Sequence, residues 1–343
     1  MFYENKLKKG GMLPAADREH KYIMTEQTIK AQIMPIAKGI IDEVQKAVIG
    51  KNDVIVKTLL AIIAGGHILL DDIPGVGKTT MAVAFSKAMS LDYKRMQFTP
   101  DVLPADVTGF TVYNRQTGSF EYKPGAALCS LFLADEINRT SSKTQSALLE
   151  AMEEGAVTVD GVTHKLPKPF VVIATQNPIG SVGTQMLPES QLDRFIVKLS
   201  MGYPDIESEI SILRSKEGDH SSENILPVAN AGDIISMQKA AEEIFADDKI
   251  YKYIASIAAA TRSHPQIRLG LSPRGTVALS SMSKAAALLR GRGFVIPEDV
   301  KFVLNDVSEH RILISPKAKA AGVTARDVLH DIIARTPAPK IHQ

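Results

Sequence analysis

The run Asp71-Asp72-Ile73-Pro74-Gly75-Val76-Gly77-Lys78-Thr79-Thr80 decides how this chain folds. An apolar segment, His67-Ile68-Leu69-Leu70, leads into it, and a helix-patterned segment, Met81 to Met89, leads out. A strand, a Gly-rich turn closing on Gly-Lys-Thr, then a helix is the phosphate-cradling arrangement of a nucleoside triphosphatase. Gly75 and Gly77 let successive backbone N–H groups converge on phosphate oxygens with no Cβ in the way. A helix starting near Lys78 adds the positive end of its dipole, and Lys78 adds a mobile charge. Thr79 offers a hydroxyl to Mg²⁺. Gly75, Val76, Gly77, Lys78, Thr79 and Thr80 are therefore the candidate nucleotide-binding residues. One position departs from the full G-x-x-x-x-G-K-T pattern, because Asp72 stands where the first Gly belongs. Asp tolerates left-handed backbone angles, so the turn is expected to survive there, with reduced affinity from a negative charge near the phosphates.

A second signal lies downstream. Ser130-Leu131-Phe132-Leu133-Ala134-Asp135-Glu136 is an apolar strand ending in two acids. Two carboxylates at that edge suggest a site in the crevice of a parallel sheet; the alternative is a strand running out into solvent. In the first reading Asp135 orients Mg²⁺ through its water shell and Glu136 is the general base toward the attacking water. A third strand, Phe170 to Thr175, ends in Gln176-Asn177-Pro178, whose amide can position that water. A Pro-initiated helix, Leu187 to Phe195, then leads to another strand, Ile196 to Leu199.

In this order the motifs resemble the AAA+ ATPases and, within them, the MoxR family. The resemblance rests on Leu133-Ala134-Asp135-Glu136-Ile137-Asn138-Arg139, Thr144 to Met152, Ala174 to Pro178, Leu192-Asp193-Arg194-Phe195 and Leu271-Ser272-Pro273-Arg274. It spans about Ile29 to Pro339. It implies that Asn177 is the sensor-1 residue and that Arg194 is an arginine finger reaching a neighbouring subunit's nucleotide. It likewise implies that Arg274 is the sensor-2 arginine, contacting the γ-phosphate from the lid. A guanidinium at developing phosphate charge is physically reasonable, since its planar fork spreads charge over several oxygens. From the residues alone, Arg194 also suits a buried ion pair with Asp193 or another acid, and Arg274 an exposed helix start. Val48-Ile49-Gly50 resembles the segment that packs on the adenine, though in itself it is an ordinary apolar turn.

Composition agrees with two packed domains in 343 residues. The formal net charge of +2 gives no long-range pull toward nucleic acid or anionic membrane. The one cysteine, Cys129, excludes an intramolecular disulfide and reads as a buried small hydrophobe, and the eight histidines show no metal-ligand spacing. No run of eighteen apolar residues exists, and Lys6, Lys8 and Lys9 precede no apolar core, so neither a span nor a secretory signal is expected. The cytoplasm is the expected compartment.

Two hairpins flank the acid-tipped strand: Phe110–Tyr113 with Ser119–Tyr122, and Ala156–Val159 with Val162–Leu166 across an Asp160-Gly161 turn. The resemblance makes them pore-facing inserts; sheet-edge decoration is the plainer alternative. Their tips are a poor nucleic-acid grip, with Arg115 on the first and Asp160-Gly161 on the second. From Tyr203 the pattern turns helical, with runs at 206–210, 233–245, 247–262, 273–290 and 297–311. Arg290, Arg292, Arg311, Lys317, Lys319 and Arg326 read there as a solvated basic surface.

The expected architecture is an arm over residues 1–24, an α/β AAA+ P-loop domain with a parallel sheet over 25–202, and a C-terminal all-helical lid over 203–343. The expected activity is ATP hydrolysis with Mg²⁺ in a homo-oligomeric, hexameric ring. By resemblance the ring remodels a client with a von Willebrand A domain partner. The competing expectations are a nucleic-acid remodelling ATPase and a nucleotide-gated assembly switch.

Overall fold

A short π-helical turn, Ile29–Ile33, leads into α1 (Met34–Ala47) and α2 (Asn52–Ile63), and β1 (Ile68–Asp71) follows. Next come α3 (Lys78–Ala88), β2 (Tyr93–Gln97) and α4 (Pro104–Thr108). β3 (Gly109–Asn114) and β4 (Ser119–Pro124) form a hairpin, β5 (Leu131–Asp135) ends at the acid pair, and a 3₁₀ turn, Ile137–Arg139, opens into α5 (Ser142–Glu154). The second hairpin, β6 (Ala156–Val159) and β7 (Val162–Lys165), precedes β8 (Val171–Gln176), α6 (Glu189–Leu192) and β9 (Val197–Leu199). The remainder comprises α7 (Ile206–Glu217), α8 (Ala231–Glu243), α9 (Asp248–Ser263), β10 (Ile267–Leu269), α10 (Pro273–Leu289) and α11 (Pro297–Ser308). A 3₁₀ turn, Glu309–Arg311, then leads to β11 (Leu313–Ile314), α12 (Pro316–Ala320) and α13 (Ala325–Arg335). This computed structural model describes residues 26–27, 29–177, 187–217 and 224–340, with side chains omitted at 215–217. The expected arm, Pro178 and residues 218–223 lie outside the described residues.

Five strands form one parallel sheet in the order β2-β5-β8-β1-β9. Its inner strands are covered on both faces, so they read as continuous apolar runs rather than as alternation. Side chains nevertheless divide with period two. Leu131, Leu133, Val171, Ile173, Ile68 and Leu70 enter one apolar cluster, whereas Phe132, Ala134, Val172, Ala174 and Leu69 enter another. Each large side chain buried there contributes about 1.5–3 kcal/mol. β2 differs: Tyr-Lys-Arg-Met-Gln is half exposed, as an edge strand can be.

α5 crosses back from the carboxyl ends of the strands to their amino ends. It starts where the Ser141 hydroxyl accepts the Thr144 N–H at 3.3 Å and stops at Gly155, whose φ of 59° suits glycine. At the amino edge its Met152 carbonyl meets His67 Nε2 at 3.0 Å, just before β1. The second hairpin turns through Asp160 and Gly161 at φ 50° and 79°, as a two-residue turn of this hand requires. The two hairpins touch where Tyr122 stacks on His164 with ring centroids 3.7 Å apart.

The C-terminal part is helical, joined by a two-stranded antiparallel ladder between β10 and β11. Its basic residues are not uniformly solvated. Arg290 and Arg292 both pair with the fully buried Asp299, at 2.7 and 2.5 Å. Arg311 is itself buried, where its Nε donates to Asp193 Oδ1 at 2.7 Å and its other nitrogens reach the carbonyls of Asp193, Phe195, Ile196 and Val307. A charge pattern cannot distinguish an arginine facing water from one that satisfies buried carbonyls. Cys129 is buried, and that burial pushes its thiol up to about 12.

Candidate nucleotide site

The sheet register brings four chain segments to one edge. Asp71 of β1 lies beside Gln176 of β8, and Gln97 of β2 beside Asp135 of β5. The chain after β1 turns through Gly75 and Gly77, at φ 86° and 96°, into α3, with Gly77 as the cap and Lys78 as the first helical residue. A side chain is strained at such angles, so glycine is required. Lys78 is buried, and its Nζ donates to the Asp72 carbonyl at 2.6 Å, closing the loop on itself. Burial lowers the Lys78 pKa from the usual lysine value, and the charges of Asp72, Asp135, Asp71 and Glu136 pull it back. Those four acids and the lysine are thus one electrostatic cluster.

Asp72 does not use the left-handed backbone expected of it. Its carboxylate turns to the exit of β9, accepting from Ser200 Oγ at 3.0 Å, from the Gly202 N–H at 3.2 Å and from the Met201 N–H. Two backbone dipoles and a hydroxyl offset the charge that was expected to weaken phosphate binding. Met201 in turn lies under the loop: a Cβ built on Gly77 falls 3.7 Å from Met201 Cε. Gly50, at φ 74°, sits against Ser208 of α7 so closely that a Cβ there comes within 2.0 Å of its Oγ. Val48, Ile49 and Gly50 thus join α1 to α2 against the start of α7, with Val48 buried.

The acids are held by contacts that lie outside the quoted motifs or were left without a role in them. Thr175 is fully buried on β8; its Oγ1 donates to Asp135 Oδ1 at 2.6 Å and accepts the Glu136 N–H at 2.8 Å. Glu136 adopts φ 57° and ψ 48°, a left-handed backbone that costs a non-glycine residue about 1–3 kcal/mol. That turn aims its carboxylate at Asn177, whose Nδ2 donates to Oε1 at 2.8 Å, while Arg139 meets Oε2 at 2.7 Å. Asn138 braces Asn177 from below through both backbone groups, at 3.3 and 3.4 Å. On the outer side, Arg95 of β2 pairs with Asp135 Oδ2 at 2.7 Å. Strand register creates these neighbours, and a linear pattern does not contain it.

Arg194 and Arg274 are not at this edge. Arg194 precedes β9, so the parallel sheet sets it at the opposite end from the loop after β1, across strands roughly 10–20 Å long. Its Nη1 donates to the Leu149 carbonyl at 2.8 Å and pairs with Glu153 Oε2 at 3.1 Å. Arg274, in the first turn of α10, pairs with the other oxygen of the same carboxylate. Asp193 pairs with Arg311 instead of Arg194.

The donor set suits Mg²⁺ carried with a nucleotide. One hydroxyl (Thr79) and one carboxylate (Asp135) beside a phosphate loop match an ion that keeps its waters and takes few protein oxygens. Among the described residues no cluster of three His, Cys, Asp or Glu forms an all-protein metal cage.

Known proteins carry the same plan. Residues 67–197 match the ATPase family associated with various cellular activities, and residues 259–332 match the AAA lid domain. YeaC of Bacillus subtilis (strain 168) is 47% identical over 305 residues, which cover 89% of this chain and 95% of that protein. Chaperone MoxR1 of Mycobacterium tuberculosis is 33% identical over 324 residues, covering 92% of this chain and 85% of that protein. A crystal structure from Cytophaga hutchinsonii superposes with a TM-score of 0.83 at 36% identity, covering 95% of this chain and 99% of that one. By sequence, fold and motif order, this chain belongs to the MoxR family of AAA+ ATPases.

Proposed function

We propose that the chain is one subunit of a homo-oligomeric ring, six-membered by family resemblance, that hydrolyses ATP to ADP and phosphate with Mg²⁺. Its core runs to residue 202 and its lid begins at residue 203. One observation carries the reading: the phosphate loop and the acids occupy one edge of the sheet, and the two arginines expected at the γ-phosphate occupy the other. A single copy therefore holds two half-sites, and a neighbour completes each.

Lys78 and the N–H groups of the loop hold the phosphates, exchanging the Asp72 carbonyl for a phosphate oxygen. Thr79 and Asp135 would hold Mg²⁺, which when bound would offset phosphate charge. Glu136 takes the proton of the attacking water and Asn177 orients both. Each Glu136 oxygen has one partner, Asn177 on one and Arg139 on the other, and keeps a second lone pair that can accept from the water. Arg194 and Arg274 of the next subunit meet the charge that develops on the transferred group.

The load is a protein in this reading. The first hairpin exposes an edge-to-face pair, Tyr113 and Phe120, with Glu121 offsetting Lys123 beside it. An exposed aromatic pair next to a polar tip with one cation, Arg115, suits polypeptide better than phosphate backbone. The name Chaperone MoxR1 of one relative agrees with a chaperone-like role. A von Willebrand A domain partner and a cytoplasmic setting belong to the same proposal. Among the described residues no helix is long and apolar enough to cross a membrane.

ATP turnover per subunit, followed over a wide range of protein concentration, tests it. The rate is expected to climb with concentration, and Arg194→Ala is expected to bind ATP but lose about 100-fold or more in turnover. A flat rate from a chain shown by light scattering to be monomeric, or full turnover by Arg194→Ala, would overturn the two-subunit site. Stimulation by nucleic acid that falls steeply with salt would move the load from protein to nucleic acid.

A further inference from the structure

We infer that Glu153 is a positioning residue for the arginine pair, a role that rests on the two-subunit reading above. Its carboxylate takes one guanidinium on each oxygen: Arg194 of the core on Oε2 at 3.1 Å, and Arg274 of the lid on Oε1. Two positive groups from different parts of the fold therefore converge on a single anion, as they must on a single phosphoryl group. Without that acid Arg194 would keep the Leu149 carbonyl, and nothing among the described residues would offset the repulsion between the two guanidinium groups. Arg311 lies close enough for Arg274 to disfavour its charge, so the region already holds three guanidinium groups. Asp193 is committed to Arg311 and Ser272, at 2.7 and 2.9 Å. Among the described residues Glu153 is the one polar partner of Arg274.

The strength of the contact fits the role. Side-chain exposures are 31% for Arg194, 45% for Arg274 and 38% for Glu153, and ion pairs this wet are worth about 0–1 kcal/mol each. That suffices to bias side-chain rotamers toward one spot. It is weak enough to be surrendered when a neighbour presents a more highly charged phosphate. Arg194 is also incompletely satisfied as it stands, since its Nε is buried with no hydrogen-bond partner among the described residues.

The test is a double-mutant cycle with Glu153→Gln, which keeps the shape and removes the charge, and Arg274→Ala. Glu153→Gln is expected to lower kcat about 3–10-fold with the KM for ATP unchanged, and to cost measurably less in the Arg274→Ala background, where only Arg194 remains for it to position. A second readout needs no turnover: phenylglyoxal, followed by peptide mass spectrometry, should label Arg274 several-fold faster in nucleotide-free Glu153→Gln than in the parent. Additive losses, a raised kcat or unchanged labelling would each overturn the inference. Loss of turnover in Arg194→Ala with no effect of Glu153→Gln would remove only the role of Glu153. Parent-like turnover in Arg194→Ala would remove the two-subunit site itself.

Discussion

Thr175 carries the acid pair with a single hydroxyl. Replacing it with valine keeps the branched shape and leaves Asp135 Oδ1 and the Glu136 N–H each short of a partner, at about 1–3 kcal/mol apiece. Glu136 then has less holding it in a left-handed backbone that its side chain does not favour. Thr175→Val is expected to lower kcat about 10–100-fold with ATP affinity within about threefold, and Thr175→Ser to stay near the parent. Steady-state kinetics on both variants decide it, and parent-like turnover by the valine form would end the role. The loop and the acid pair were legible as text because Gly, Lys and consecutive carboxylates are costly to leave at strand ends without a purpose. Thr175, Asn138, Arg139 and Arg95 were not. Each is an ordinary residue that matters only through the neighbour that register gives it.

At the scale of elements, the inner strands and the hairpins declared themselves through apolar runs and the Asp-Gly turn. β2 did not, since an edge strand with two cations has no apolar face to show. α5 was visible only as the run Thr144 to Met152 that carries part of the family resemblance, and its course across the sheet emerges from where it is pinned. That pin is a histidine. The Val172 N–H donates to His67 Nδ1 at 3.0 Å, so the ring is neutral with its proton on Nε2, facing the Met152 carbonyl. Burial lowers its pKa from 6.5 to about 4. The folded state thus binds fewer protons than the unfolded chain between those values, so stability falls as pH drops from about 6.5 to about 4. The expected loss is about 3 kcal/mol at pH 4. Urea midpoints at pH 7 and pH 4.5 should diverge less in His67→Gln than in the parent. Because buried His310 shifts in the same direction, the difference between the two proteins, rather than the parent's slope, is the quantity to read.

For the molecule as a whole, core and lid meet through a polar knot and not through apolar packing alone. Arg311, on the 3₁₀ turn after α11, satisfies carbonyls of the Asp193–Ile196 segment that leads into β9. Arg311→Ala strands those acceptors and the Asp193 carboxylate, so a loss of about 3–5 kcal/mol is expected in urea unfolding. A change under 1 kcal/mol would mean that water replaces the guanidinium freely. The order of motifs was enough to anticipate a parallel sheet and a helical lid. It could not reveal this knot, because a basic residue near a C-terminus looks the same whether it is solvated or is the keystone between two layers.

α5 has thirteen residues, about 20 Å of rigid helix. The turn before it presents Arg139 to Glu136, and its last turn presents Glu153 to the two arginines. Its two ends thus answer to different nucleotides in the proposed ring, one belonging to this subunit and one to the next. Any coupling along such a rod is reciprocal: what loosens Arg139 at one end and what engages the arginines at the other bias the same helix. In the proposed ring each such rod would link the state of one nucleotide to that of its neighbour.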